Sequence, residues 1–241
     1  MGILPGLTFL DPDDVSLAAL RYYALFHPRP LTRVCRWQGR NQHALLTVAD
    51  AGFSSRVVTL IAPDAGLARC LLYRCLVPGT RFFFQASPSQ ARHLTRWLRG
   101  CSEETWSTVA SVSPQTFTPI PGPQPERYRG ARAGGMIPYI GYRFTAGGES
   151  ICQAFVLWQS DRYAEVGVFT RDDFRGRGLA RRAVSSLTAE LLEKGITPLY
   201  VYDPSNQASR RVSEALGYRP AGRQFSCYGR LPALRPGRPA P

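Results

Sequence analysis

Arg175-Gly-Arg-Gly-Leu-Ala-Arg181 decides the reading of this chain. Just upstream, Ala164-Glu-Val-Gly-Val-Phe-Thr170 is short, apolar and β-branched, the pattern of a half-buried strand. Downstream, Leu179, Ala183, Leu187 and Leu191 recur every fourth residue and mark one face of a helix that Gly195 closes. A strand that passes through a glycine turn into a helix N-terminus is suited to anions. The first N–H groups of the helix have no backbone partner, and the helix dipole favours negative charge beside them. Gly176 and Gly178 allow close approach of a phosphate, and Arg175, Arg177 and Arg181 surround it with positive charge.

Two common phosphate loops are excluded. A nucleotide P-loop needs Lys followed by Ser or Thr after its last glycine, and Leu179-Ala180 stands there instead. The dinucleotide pattern fails because Arg181 occupies the place of its third glycine. A second segment follows the helix. Pro198-Leu-Tyr-Val-Tyr202 reads as a strand, and Asp203-Pro-Ser-Asn-Gln-Ala-Ser209 leads into a helix. Ser205 or Asn206 suits its cap, Ala208, Val212, Ala215 and Leu216 form its apolar face, and Gly217 stops it before Tyr218.

Together these segments resemble the GNAT superfamily, the Gcn5-related N-acetyltransferases, over roughly residues 135–228. Arg175, Gly178 and Ala180 fill that family's Gln/Arg-x-x-Gly-x-Gly/Ala signature, and Asn206 with Leu216-Gly217-Tyr218 matches its later strand, Asn, helix, Leu-Gly-aromatic order. The resemblance implies an α/β fold, a mixed sheet whose two central parallel strands splay around acetyl-CoA. It implies that Val168, Phe169 and Thr170 offer backbone groups to the pantetheine arm and thioester. It also implies that the N–H groups of Gly176, Arg177, Gly178, Leu179, Ala180 and Arg181 hold the pyrophosphate, and that Asn206 lies along the arm. Asn206 also reads as a plain helix cap, and both roles are compatible. The family's usual catalytic side chains are missing: Ser213 stands where many members carry a tyrosine, and Val201 where some carry a glutamate. Glu165, as a proton relay, and Tyr202, as the acid that protonates the leaving thiolate, are the substitutes expected. Tyr200 shares a strand face with Tyr202. The ordinary readings beside these are a solvated strand-end carboxylate and a core aromatic.

At 241 residues the chain exceeds one minimal domain of this kind. The Pro/Gly-rich stretch 113–127 reads as a linker between residues 1–112 and an acetyltransferase domain over 128–229, with 230–241 as a disordered tail. The first part echoes the second. Pro63-Asp-Ala-Gly-Leu-Ala-Arg69 parallels Arg175–Arg181, and Ser87-Pro-Ser-Gln-Ala91 parallels the run from Asp203. Pro63 and Asp64 suit a helix cap and repel a pyrophosphate, so residues 1–112 are expected to form a degenerate GNAT-like lobe without cofactor. An unrelated small α/β domain is the alternative.

Net charge is +13 with Lys194 the only lysine, and the arginines are scattered without a recognised nucleic-acid module. No specific nucleic-acid partner is therefore expected, although polyanions, CoA included, are attracted. The six cysteines show no metal clamp, with Cys70 and Cys75 on a helix and Cys35, Cys101, Cys152 and Cys227 isolated. Met1–Thr8 carries no signal or myristoylation pattern and no run crosses a membrane, which reads as a soluble cytoplasmic protein. The expected activity is acetyl transfer from acetyl-CoA, without a metal, to a primary amine of a small molecule, by direct transfer in a ternary complex. A catalytically inactive CoA-binding regulator is the alternative. The oligomeric state is not legible.

Overall fold

The structure is a computed structural model and describes residues 9–39, 42–130 and 139–233. The expectations for Met1–Thr8 and for the end of the tail therefore lie outside the described residues. The chain divides into two compact units, one formed by residues up to Ser107 together with Arg223 onward, the other by Thr108–Gly222.

In the first unit a short helix α1 (Ala18–Arg21) precedes strands β1 (Thr32–Gln38), β2 (His43–Ala49) and β3 (Val57–Ile61). Helix α2 (Ala65–Cys75), strand β4 (Arg81–Ala86) and helix α3 (Pro88–Thr95) follow, then strand β5 (Arg99–Ser111). The second unit holds the last residues of β5, then β6 (Glu126–Gly130), β7 (Tyr139–Ala146), β8 (Glu149–Gln159) and β9 (Tyr163–Thr170). It continues with α4 (Leu179–Glu193), β10 (Thr197–Tyr202) and α5 (Gln207–Ala215), and β11 (Arg219–Arg230) begins in it.

The two units repeat one plan. In the first, β1-β2-β3-β4-β11 are neighbours in that order, and only β3 and β4 run parallel. In the second, β7-β8-β9-β10-β5 are neighbours with β6 beyond β7, and only β9 and β10 run parallel. Each parallel pair is joined by one helix, α2 or α4, the crossover that parallel strands require. This duplication is what the echo between Pro63–Arg69 and Arg175–Arg181 indicates in sequence.

Helix α4 forms where its apolar repeat demands. Ala183, Leu187 and Leu191 are fully buried and pack with Val184 against Cys152, Ala154, Val156, Ala164 and Val166, while Leu179 is partly buried at the edge. Burying four such side chains contributes several kcal/mol, on the order of 1.5–3 kcal/mol for each large aliphatic. Glu190, on the outer side of α4, accepts from Arg127 Nε and Nη2 at 2.8 and 2.7 Å and from the Tyr142 hydroxyl at 2.9 Å. Lys194 joins the same carboxylate. The Arg127 hydrogen bond, aided by Lys194 and Tyr142, pulls the Glu190 carboxyl down to about 2, so it stays ionised and holds β6 and β7 to the helix.

Two boundaries differ from expectation. Residues 113–127 contain no helix or strand before β6 begins at Glu126, but they are packed rather than free, and they fall inside the second unit. Phe117 and Ile120 pack against the core, Thr118 N–H donates to Leu216 O at 3.1 Å, and Ile120 N–H donates to Ser185 Oγ at 3.0 Å. Those apolar side chains are what a composition count of Pro and Gly overlooks. At the other end, Arg230 is still in β11 and Leu231 is buried in the first unit's core, so these two residues belong to the fold. Cys35 and Cys75, which the sequence leaves unpaired, form a disulfide between β1 and the end of α2.

Gly217 closes α5 with φ of +81°, and a Cβ there would lie 1.8 Å from the carbonyl oxygen of Thr116. Both the backbone sign and the contact exclude a side chain. Gly217→Ala should cost about 3 kcal/mol or more, read as a drop in the thermal or denaturant midpoint; a midpoint within error of the parent would show that the 113–118 segment yields freely.

Candidate active site

The parallel pairing of β9 with β10 runs from Tyr163/Thr197 to Val166/Tyr200 and stops. Beyond it, Val168–Thr170 remain paired with β8 only, and Val201–Tyr202 with β5 only. The strands part, leaving one edge of β9 without a partner and a cavity of about 400 Å³ where they diverge. Its walls include Val168, Phe169 and Thr170 from β9, Gly176 to Arg181 from the loop, and Tyr200, Asn206 and Ser209 from β10 and α5. Phe169 is 51% exposed, a large apolar surface on the open side.

The loop is built as an anion cradle. Asp172–Phe174 make one 3-10 turn, after which Gly176 and Gly178 adopt φ of +78° and +73°, and a Cβ on either would project into open space. Gly178 caps α4 with no side-chain hydrogen bond, and the first turn of the helix carries no acidic residue. Among the described residues, the six consecutive N–H groups from Gly176 to Arg181 find no acceptor. Unmade hydrogen bonds of this kind, beside the positive end of a helix dipole, recognise phosphate oxygens.

The nearby arginines divide into two sets. Arg175 pairs with Asp172 at 2.7 Å and its Nε donates to Thr170 O at 3.3 Å; Arg177 donates to Asp173 O at 3.0 Å. These brace the loop. Arg181 and Arg211 line the cavity and form no ion pair among the described residues, which leaves their charge available. Arg210, the neighbour of Arg211, is taken by Glu214 at 2.7 Å. That pairing is legible as i, i+4 spacing.

Asn206 caps α5, its Oδ1 accepting from Ser209 N–H at 3.0 Å, and it lines the cavity as well, so its two readings coexist. All eleven expected cofactor-binding residues therefore converge on one cavity. The two expected catalytic side chains do not. Glu165 lies on β9 before the strands part, 9% exposed, and accepts from Trp158 Nε1 at 2.6 Å. A one-residue irregularity between Val156 and Trp158 sets the indole opposite the carboxyl. It is neither a solvated strand end nor a cavity wall. Burial pushes its carboxyl up to about 7, against the downward pull of the indole hydrogen bond. Tyr202 is buried beyond the parting point, beside β5. Tyr200 lines the cavity instead, because it is the last β10 residue paired with β9. Ser213, in the family's tyrosine position, is buried outside the cavity.

Comparison with known proteins adds the following. A family model described as GNAT acetyltransferase matches residues 137–228. Comparison with curated proteins finds no match. Among solved structures, a GCN5-related N-acetyltransferase from Kribbella flavida is similar at a TM-score of 0.61 and 15% identity, covering 91% of this chain and 95% of that one. A GCN5-related N-acetyltransferase-like protein from Streptococcus suis gives a TM-score of 0.55 at 16% identity, covering 88% and 96%. A tandem GNAT protein from the clavulanic acid biosynthesis pathway gives 0.55 at 11% identity, covering 88% of this chain and 87% of its own. At these identities the structures speak for the fold: two copies of the GNAT plan in one chain. Among the described residues no group of His, Cys, Asp and Glu is arranged to hold a metal, and no helix is long and apolar enough to cross a membrane.

The position of Glu165 has a measurable consequence. A carboxyl that is harder to ionise folded (about 7) than unfolded (4.5) withdraws stability as pH rises through that window. Glu165→Gln should match the parent below pH 4.5 and exceed its melting temperature by about 5 °C at pH 8. Equal melting temperatures across the range would place Glu165 in water.

Proposed function

As a member of the GNAT superfamily through residues 137–228, this protein is an acyltransferase, and we propose that it transfers the acetyl group of acetyl-CoA to a primary amine of a small molecule. The observation that carries the reading is the cradle of six unpaired N–H groups from Gly176 to Arg181, placed where β9 and β10 part. A diphosphate fits it: the donors are unsatisfied, both glycines face open space, and Arg181 and Arg211 add free charge. The partnerless edge of β9 at Val168–Thr170 offers backbone donors and acceptors to an amide-bearing arm, and Asn206 and Phe169 flank it.

Acetyl-CoA brings an activated thioester, so the protein's work is to hold that carbonyl and an unprotonated amine in line within one ternary complex. Backbone N–H groups on the open β9 edge are the donors available to the developing oxyanion. Direct transfer is supported by the lining of the cavity, which among the described residues holds no cysteine and no serine and histidine pair. The arginines around the cavity suit an acceptor that carries a carboxylate beside its amine. Since acetyl-CoA is an intracellular metabolite, the reading carries a cytoplasmic location.

Calorimetric titration with acetyl-CoA should give a one-to-one complex of about 8 kcal/mol, a micromolar dissociation constant. Gly178→Asp, which sets a carboxylate at the cradle, should abolish it; equal affinity in parent and variant would overturn the assignment of the loop.

A further inference from the structure

The geometry points to a second ligand site, within the first unit, for a zwitterionic α-amino acid with an apolar side chain. It is independent of the acyl-CoA reading of the other cavity. A hollow of about 330 Å³ opens where β3 and β4 begin, at the opposite end of their pairing from Thr59/Gln85. That volume lies in the range of small-molecule sites. Val48, Phe82 and Cys75, the last bridged to Cys35, give it a buried apolar lining. Val77 extends that lining outward and is 66% exposed. Phe53, 53% exposed, sits in the loop that joins Asp50 to Arg56, both of which line the hollow. Two of the four large hydrophobics exposed among the described residues are therefore gathered here. Apolar surface collected at a charged-rimmed hollow is what a ligand with an apolar body covers.

The charges choose the ligand. Arg33, Asp50 and Arg56 line the hollow, and all three are exposed, within reach of a molecule entering it. Arg33 Nη1 donates to Cys75 O at 3.4 Å, so it answers the negative end of α2. Arg56 and Asp50 remain. Opposite in sign and lining one cavity, they form no ion pair with each other or with any other of the described residues. A lone carboxylate entering there meets Arg56 but also Asp50 and the carbonyl end of α2. A lone cation meets Asp50 but also two guanidiniums. A molecule that carries both signs satisfies both side chains and leaves no like charges facing each other. An α-amino acid has its ammonium and carboxylate on one carbon, which frees its side chain to cover Val48, Val77 and Phe82. Because the charged groups are exposed, water screens them, and the dissociation constant is on the order of 1 mM.

Ligand-observed NMR titration of the full chain tests this with L-leucine, isocaproate and isoamylamine. The last two are leucine without its amine and leucine without its carboxylate. The parent should bind leucine, and each analogue about fivefold or more weakly. Arg56→Gln and Asp50→Asn should each weaken leucine by a similar factor. Both should melt as the parent does, since the side chains are exposed and Asn keeps the acceptor that Asp50 Oδ1 offers Gly52 N–H at 3.2 Å. No binding of leucine at about ten times the expected dissociation constant would overturn the proposal. So would either analogue binding as tightly as leucine, which needs no variant to observe. Leucine bound equally by the parent and both variants would place it elsewhere and remove this site. A variant that loses leucine and melts well below the parent would show its charge to be structural, and would also overturn the proposal.

Discussion

The rung between Val166 and Tyr200 is the point on which the site depends. Up to it, β9 and β10 are an ordinary parallel pair buried under α4. After it, each strand keeps only its outer neighbour, and the inner edges face one another without bonding. Backbone groups left unpaired inside a protein are costly, so such an opening is stable only if its donors face solvent or a ligand. Here the same parting exposes the β9 edge and sets the Gly176–Arg181 loop at the mouth, with Tyr200 among the residues lining the vertex.

The first unit shows how the same plan is closed. Its parallel pair, β3 with β4, ends at Thr59/Gln85, and a helix follows as in the second unit. But Asp64 caps α2, Oδ1 accepting from Leu67 N–H at 2.8 Å and its carbonyl from Ala68 N–H at 3.1 Å. Gln90 Oε1 accepts from Ala62 N–H at 2.9 Å. The N–H groups of Leu67 and Ala68, whose counterparts Leu179 and Ala180 find no acceptor in the second unit, are satisfied internally in the first, and the capping carboxylate would repel a phosphate. Asp64 in place of Gly176, with the helix begun two aligned positions earlier, makes a finished helix end where the second unit has an anion cradle.

How much of this was legible follows from the range of the interactions. The loop, its two glycines, the α4 stripe and the Asn206 cap are local, and short-range spacing reveals them. Pro63-Asp64 is local too, and its chemistry alone opposes a phosphate. The surroundings of Tyr200, Tyr202 and Glu165 are not legible in this way. Tyr200 and Tyr202 share a strand face, and which one meets the cavity is set by where β9 stops pairing, a register that sequence does not display. Glu165 reads in sequence as a proton relay or a strand-end charge; the irregularity at Leu157, which brings the Trp158 indole onto it, is a tertiary feature. The packing of Phe117 and Ile120 and the Cys35–Cys75 bond are likewise long-range.

Backbone amide hydrogen exchange with and without CoA tests the central claim most directly. If the unpaired N–H groups of the loop bind the diphosphate, protection should rise at Gly176–Arg181 and along Val168–Thr170, with Asp64–Ala68 of the first unit unchanged. Exchange at Gly176–Arg181 that is indifferent to saturating CoA would contradict the account.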